Sequence, residues 1–193
     1  MVIRDITLTG KQSAAVEFTR RDHSSYNRFL ENTDKGKSTC AVFLDLSKAF
    51  DTVDHKILLR KLMYYGISGK KNSVFESYLT NRMQYTKINN YSSNFQTIEC
   101  SVPQGSVMGP LLFLIYVNDL PCASSFQTTL FADDTSLHLS HKDIKTLQLN
   151  VQNELDKVDT WMRSNRLSIN YNKTAYYTIL LQHVLKTVTL KFI

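Results

Sequence analysis

The stretch TLFADDTSLHL, Thr129 to Leu139, constrains the fold more than any other part of the sequence, because it places two adjacent aspartates between short apolar runs. The β-favouring residues on both sides predict two strands, with Asp133 and Asp134 at the tip or the first rung of a hairpin. Neighbouring carboxylates repel each other, and a cation with oxygen ligands is the simplest compensation. Asp-Asp is also a common turn pair, and taken alone the turn is the better interpretation.

A third aspartate interrupts a strongly apolar segment earlier in the chain. CAVFLDL, Cys40 to Leu46, predicts a buried strand, because nearly every position is apolar and Asp45 carries its one charge. The ordinary explanation is a cap for the following helix, but Asp51 or Asp54 can take that position. Asp45 therefore requires another explanation.

Helices and further strands are predicted around these acidic residues. Apolar stripes predict core-facing helices over residues 55–65, ending at Gly66, and over a second segment with its stripe at Val74, Phe75, Tyr78 and Leu79. A hairpin is expected over residues 83–102. Leu111 to Val117 are apolar all round, which predicts a buried helix.

The C-terminal part of the chain has a simpler pattern. Apolar residues recur every three or four positions from roughly His141 to Ser164, which predicts a long amphipathic helix. One or two strands are expected between Ala175 and Ile193.

The composition is that of a folded, basic chain. Its 193 residues are 42% hydrophobic, and 23 Lys and Arg against 17 Asp and Glu give a net charge of +6. That charge favours polyanions such as nucleic acid, although it also suits a solvated exterior. Three widely spaced cysteines without a CxxC pair argue against a disulfide framework or a zinc site. No apolar run approaches the ~20 residues of a membrane span, so we expect an intracellular protein of the nucleus or cytoplasm with no membrane partner.

Asp45, Asp133 and Asp134 would converge on one point if the strand that carries Asp45 lies beside the acidic hairpin. Such a cluster suits two Mg²⁺ ions in phosphoryl transfer, with Mn²⁺ as an alternative, because these hard cations take oxygen ligands. The five histidines show no ligand-like spacing, which argues against softer metals.

Four segments then allow a family to be recognised. They are, in chain order, AVFLDLSKAFDTVDH, SVPQGSVMGPLLFLIYVNDLP, LFADDTSL and LSINYNKT. Together they closely resemble the reverse transcriptases of non-LTR retrotransposons, particularly the jockey-like mobile elements, over roughly residues 36–177. The resemblance implies an α+β fold, a right-hand polymerase palm whose small antiparallel sheet is backed by helices, with fingers incomplete and thumb absent. We expect a single reverse transcriptase domain over residues 1–193.

The resemblance also implies a role for each matched residue. Asp45, Asp133 and Asp134 would be the catalytic, metal-binding carboxylates, with Asp133 the stronger ligand of the pair. Phe50 would exclude a ribose 2′-hydroxyl, and Lys173 would neutralise the leaving pyrophosphate. Without the resemblance, Phe50 would be interpreted as ordinary core, and a solvated surface lysine is nearly as good an account of Lys173. Nucleotide contacts are implied for Leu46, Ser47, Lys48, Ala49, Phe50 and Lys173, and template or primer contacts for Pro103, Gln104 and Gly105.

The implied activity is RNA-directed DNA polymerisation, the transfer of deoxynucleotides from their triphosphates to the 3′-hydroxyl of a DNA primer on an RNA template. The segments before Asp45 and after Lys173 match the fingers and thumb of relatives poorly. An alternative is therefore a catalytically dead, truncated retroelement remnant that acts at most as a nucleic-acid-binding module. An unrelated metal-dependent nuclease is disfavoured by the order of the motifs.

Overall fold

The structure, a computed structural model, describes residues 30–103 and 105–179. Contacts divide this part of the chain into two compact units, the first made of residues 30–47, 120–162 and 169–179 and the second of the remainder. The elements in chain order are β1 (Ser38–Leu44), α1 (His55–Tyr64), α2 (Lys70–Leu79), β2 (Met83–Gln84), β3 (Lys87–Ile88), β4 (Tyr91–Ser92), β5 (Gln96–Thr97), α3 (Met108–Val117), a 3₁₀ turn (Leu120–Cys122), β6 (Gln127–Phe131), β7 (Asp134–His141), α4 (Ile144–Ser164) and β8 (Ala175–Ile179).

The first unit is built on a four-stranded antiparallel sheet with the strand order β6-β7-β1-β8. All seven residues of β1 are buried, as expected for an apolar strand with a neighbour on each side. Its partners are distant in sequence, with Leu44 opposite Thr135 on β7 and Phe43 opposite Ala175 on β8. The strand predicted at Cys40 to Leu46 is confirmed from Cys40 to Leu44, but it ends there, so Asp45 follows the strand and does not belong to it.

Helix α4 supplies the long apolar stripe of the first unit. Its buried apolar residues are Leu147, Val151, Leu155, Val158 and Met162. Asp143 precedes the helix and caps its N-terminus, because its carboxylate accepts hydrogen bonds from both the backbone N–H and the hydroxyl of Thr146. These bonds lower the pKa of Asp143. The helix predicted from periodicity is confirmed.

The second unit contains α1, which packs against α2 and α3. Asp54 caps α1 by accepting a hydrogen bond from Ile57 N at 2.9 Å, and Gly66 ends it with a φ of +84°. Both signals were visible in the sequence. The predicted hairpin is also present, although it consists of two short two-stranded pieces, β2 with β5 and β3 with β4.

Four burial predictions in the second unit are wrong. Tyr65, predicted to end the core-facing stripe of α1, is 38% exposed. Val74 on α2 is 67% exposed, and Leu111 and Leu114 on α3 are 52% and 43% exposed. An apolar helix is buried all round only where neighbours cover every side. In α3, one stripe that includes Leu112, Phe113 and Tyr116 is covered, and the other is not.

The α+β class with a small antiparallel sheet is confirmed. Gln104 and the chain beyond Ile179, where a second C-terminal strand was expected, lie outside the described residues. Within the described ranges, every helix is too short or too polar to cross a membrane. The prediction of a single domain over the whole chain stays a prediction.

Candidate active site

The acidic hairpin, defined here as β6, β7 and the loop between them, has the geometry that its sequence predicted. Phe131 pairs with Asp134 on the first rung, so that Ala132 and Asp133 form a two-residue loop. Ala132 has a φ of +53°, as the first loop position of a type II′ hairpin turn requires. The two aspartates and Phe131 are all exposed. The carboxylate pair therefore projects from a tight turn that a central strand supports from one side.

Asp45 lies at the same end of the sheet. The last pair of β1 and β7 at this end is Leu44 with Thr135, so Asp45 and Asp134 each lie one residue beyond it. The backbone of Asp45 is held from the other side, because its carbonyl accepts a hydrogen bond from Asn170 N at 2.8 Å. Asp45 therefore follows β1 at the sheet end that also carries the hairpin tip, and the convergence of the three carboxylates stays a prediction.

Lys173 contributes a cation to this end of the sheet. Its Nζ lies 3.8 Å from Asp45 Oδ2, and the lysine side chain is 69% exposed. The loop that carries it is closed by hydrogen bonds from Lys173 N and Thr174 N to Asn170 O. The pairing places a positive charge beside the predicted metal ligand, although a surface ion pair of this kind stabilises a fold by only about 0–1 kcal/mol.

The carboxylates fit a magnesium site by their chemistry, since Mg²⁺ prefers hard oxygen donors. Across the described residues, however, no three Asp, Glu, His or Cys side chains are grouped closely enough to hold one metal ion. Asp45 and Asp134 each lie one residue beyond the pair of Leu44 with Thr135, with Asp133 next along the chain. The three-carboxylate metal site stays a prediction.

The residues whose backbone N–H groups are predicted to lie near the incoming triphosphate, Leu46 to Ala49, are divided between the units. In the first unit Leu46 is buried and bridges to Ile169, and Ser47 is half-buried. In the second unit Lys48 is exposed with a φ of +50°, and its carbonyl accepts hydrogen bonds from Asp51 N and Thr52 N. Ala49 is buried. Their contacts with a triphosphate stay predictions.

Phe50 is joined to the predicted template turn within the second unit. Its carbonyl accepts a hydrogen bond from Val102 N at 3.0 Å, immediately before Pro103. Its ring is half-buried and lies 4.8 Å from the ring of Phe113, centroid to centroid. This packing agrees with the core interpretation and leaves part of the ring exposed, as the predicted sugar contact requires.

The turn that includes Pro103 and Gly105 is fixed by two residues that the sequence analysis did not single out. Ser106 Oγ donates to Pro103 O at 2.8 Å and accepts from Gly109 N at 2.9 Å. A Cβ atom at Gly109 would lie 2.9 Å from Pro103 O, so a larger side chain does not fit there without a shift. Gly105 has a φ of +76°, which glycine adopts without strain. The signal in the sequence was a serine three residues before a glycine at a helix start.

A buried carboxylate anchors the segment that leads into the acidic hairpin. Glu154 on α4 accepts hydrogen bonds from Lys157 Nζ at 2.7 Å and from Ser125 N at 2.6 Å, two residues before β6. The bond from Lys157, followed by that from Ser125, lowers the pKa of Glu154. Periodicity could not reveal this contact, because Glu154 lies within a helix whose pattern predicts only its apolar stripe.

A second buried network lies in the other unit, around Tyr116 of α3. Its hydroxyl donates to Asn165 O at 2.7 Å and accepts from Asp54 N, and burial raises the pKa of Tyr116 to about 12. The carboxylate of Asp54 also accepts a hydrogen bond from Arg166 Nη1 at 2.6 Å. This network supports α1 and α3 and is not adjacent in sequence to any predicted catalytic residue.

Comparisons with known proteins show the family of the chain. The family model described as "Reverse transcriptase (RNA-dependent DNA polymerase)" matches residues 4–193. Two similar relatives from Drosophila melanogaster are "Probable RNA-directed DNA polymerase from transposon BS", 30% identical over 79% of this chain, and "RNA-directed DNA polymerase from mobile element jockey", 29% identical over 81%. The chain spans 18% of the length of each of these relatives.

A solved structure shares the fold. The apo telomerase of Candida tropicalis, truncated from its C-terminal domain, superposes with a TM-score of 0.60 over 89% of this chain and 36% of its own, at 11% sequence identity. At that identity the likeness concerns the fold alone, and it agrees with a polymerase palm. The resemblance to jockey-like elements is confirmed, and the chain belongs to the reverse transcriptase (RNA-dependent DNA polymerase) family.

Proposed function

We propose that this chain carries the palm of an RNA-directed DNA polymerase, which transfers deoxynucleotides to a primer 3′-hydroxyl on an RNA template. The observation that carries the proposal is the antiparallel register of β1 and β7. This register leaves Asp45 and the tip with Asp133 and Asp134 at the same end of the sheet, and Lys173 Nζ lies 3.8 Å from Asp45 Oδ2. Carboxylates and a cation at one sheet end are the side chains that phosphoryl transfer uses.

Asp45, Asp133 and Asp134 would hold two Mg²⁺ ions, with Mn²⁺ as an alternative. When bound, these ions supply a lowered pKa of the primer hydroxyl and stabilisation of the triphosphate charge. The exposure of the hairpin tip leaves the aspartates open to ligands, and positive φ at Ala132 fixes the turn that presents them.

The remaining predicted residues would bind and orient the substrates. Lys173 would offset the negative charge of the leaving pyrophosphate. The exposed part of Phe50 would exclude a ribose 2′-hydroxyl and so favour deoxynucleotides. Pro103 and Gly105, in a turn fixed by Ser106, would pack against the template and primer, together with Gln104.

A second candidate function is a catalytically dead remnant that binds nucleic acid. The observation that favours it is that no three potential metal ligands are grouped within the described ranges. The two proposals predict the same affinity for RNA and differ in whether deoxynucleotides are incorporated.

Primer extension separates them. The purified chain is incubated with an RNA template, a DNA primer, deoxynucleotides and Mg²⁺, and compared with Asp133→Asn. Asp34→Asn is the matched control for Asp133→Asn, because both aspartates are exposed. Asp34 precedes β1, whereas the predicted ligand Asp45 follows it. Incorporation by the native chain and by Asp34→Asn, but not by Asp133→Asn, supports the polymerase. A folded native chain that binds template and incorporates nothing supports the remnant.

A further inference from the structure

The second unit carries an exposed aromatic surface that the proposed polymerase site does not use. The aromatic hairpin, defined here as residues 83–97, contains β2 to β5 and the turn at Asn89 and Asn90. Every residue in it is exposed. Its large apolar side chains are Met83 at 64%, Tyr85 at 51%, Ile88 at 67%, Tyr91 at 84% and Phe95 at 64% exposure. So many large apolar side chains exposed on one short hairpin mark an interaction surface.

Two of these rings form a single platform. Tyr85 comes after Gln84 and Phe95 comes before Gln96, so the two rings lie next to the paired residues Gln84 and Gln96. Their ring centroids lie 5.0 Å apart at an interplanar angle of 59°. The contact holds each ring in place while leaving more than half of it exposed. Rings that are fixed and open on one face suit stacking by the flat faces of nucleobases. Tyr91, beside the turn, adds a third exposed ring.

The charge of this segment selects the class of partner. Residues 77–98 include Arg82 and Lys87 and no acidic residue. Lys87 follows Tyr85 by two positions, and its side chain is exposed. At the base of the hairpin, Arg82 is half-buried and its Nη1 is buried, without a hydrogen-bond partner among the described residues, so the exposed cation of the hairpin is Lys87. An exposed cation among exposed rings, with no acidic residue nearby in sequence, matches a chain of phosphates that carries unpaired bases.

We infer that the aromatic hairpin binds single-stranded RNA, with Tyr85, Phe95 and Tyr91 stacking on unpaired bases and Lys87 contacting the phosphate backbone. Single strands are favoured over duplexes, because only an unpaired strand can turn its base faces outward to the rings. The choice of RNA over DNA rests on the proposed function, in which the bound strand is the template.

The test measures fluorescence anisotropy of a labelled single-stranded RNA of about 16 nucleotides, in EDTA and without deoxynucleotides. Tyr85→Ala combined with Phe95→Ala is expected to weaken binding by about tenfold or more. Tyr91→Ala alone should weaken it by about fivefold, and it leaves the Tyr85–Phe95 contact intact. Tyr85→Phe keeps the ring and should bind like the native chain.

Two further variants separate the phosphate contact from base stacking and test whether the effect is confined to the hairpin. Lys87→Gln should lower the slope of log affinity against log salt by about 0.7, the effect of one lost phosphate contact on a single strand. Val74→Ala removes an exposed apolar side chain outside the hairpin and should change nothing. A duplex of the same sequence should bind more weakly than the single strand and should be insensitive to Tyr91→Ala.

Several results would overturn the inference. Native affinity in both Tyr91→Ala and the double alanine variant would show that the rings do not contact RNA. Sedimentation of the native chain as a dimer that the ring substitutions dissociate would show that this surface binds a second copy. Primer extension keeps this inference separate from the proposed function. If the native chain incorporates nothing but the ring variants bind RNA more weakly than it does, the polymerase proposal is excluded and the RNA-binding hairpin stands. If the native chain extends the primer and the ring variants bind RNA as it does, only the hairpin inference is excluded.

Discussion

The acidic hairpin and the aromatic hairpin are built from the same kind of antiparallel pairing and differ in what supports them. The acidic hairpin belongs to a four-stranded sheet, and β7 pairs along seven consecutive residues with the buried strand β1. The aromatic hairpin consists of two-residue pairings that are joined to no third strand in the described part of the chain. The first is suited to holding charges at a fixed position, and the second to presenting rings to a partner.

This difference has a physical basis. A metal site needs its ligands held within fractions of an ångström by supporting elements, and β1 and α4 provide that support. A stacking platform tolerates displacement, since every base has a flat face and the contact is not directional. Isolated two-stranded pairings are marginally stable on their own, which suits a surface that adapts to different sequences.

The largest expected effect separates the two hairpins by function. Asp45→Asn should reduce the rate of nucleotide incorporation by more than about 100-fold, because even outer-shell substitutions at metal sites cost up to that much. Affinity for RNA in EDTA should not change. Tyr85→Ala with Phe95→Ala should do the reverse and raise the KM for template with little change in kcat. Equal loss of both properties in either variant would contradict the division.

A smaller effect tests how α4 supports the acidic hairpin. Glu154→Gln should lower the free energy of unfolding at pH 7 by about 1–2 kcal/mol, because charge-assisted hydrogen bonds to Lys157 and Ser125 are weakened. The pKa of Glu154 is lowered in the folded chain, so this stabilisation is present above the ordinary glutamate pKa and is lost as the pH falls through the folded value. Urea unfolding at pH 7 and pH 3 measures this: the difference in free energy of unfolding between the variant and the native chain should be smaller at pH 3 than at pH 7.

The matched control for Glu154 lies on the same helix. Asp156 is exposed and accepts a hydrogen bond from Gln152 at 3.1 Å, so Asp156→Asn should change stability by less than about 0.5 kcal/mol. A pH-independent effect of Glu154→Gln would show that packing, and not its charge, is what the carboxylate contributes.

The turn of the acidic hairpin gives the third prediction. Ala132 has a φ of +53°, which costs a β-branched residue more than alanine and costs glycine nothing. Ala132→Val should destabilise the chain by about 1–2 kcal/mol in thermal unfolding, and Ala132→Gly should be neutral or slightly stabilising. Valine and glycine with the same effect would show that the positive φ is not maintained.

The acidic hairpin, its aspartates and the strand before Asp45 were predictable because alternation and apolar runs are local signals. The neighbours of β1 were not, since the pairing of Leu44 with Thr135 joins residues far apart in sequence. The exposure of Val74, Leu111 and Leu114 shows the same limit, because periodicity identifies an apolar face and not what covers it. The resemblance supplied Lys173, and no local pattern indicated its approach to Asp45. Ser106, Glu154 and Arg166 were missed because their roles depend on partners in the folded chain.

The smallest expected effect on stability is that of substituting Lys173. Lys173→Ala should change the free energy of unfolding by less than about 0.5 kcal/mol, because the pair with Asp45 is mostly exposed and spans 3.8 Å. Incorporation should still fall by about tenfold, and Lys173→Arg should restore much of it, since a cation beside the leaving group is retained. Single-turnover incorporation measures the effect, and a stable variant with native rates would reduce Lys173 to a surface residue.

Binding of Mn²⁺ to the purified chain tests the assignment of the acidic hairpin most directly, because it requires neither template nor turnover. The electron paramagnetic resonance signal of free Mn²⁺ reports how much metal the chain removes from solution. We expect the native chain and Asp34→Asn to bind alike, and Asp133→Asn to bind at least about tenfold more weakly. Equal binding by the native chain and Asp133→Asn would contradict the metal site.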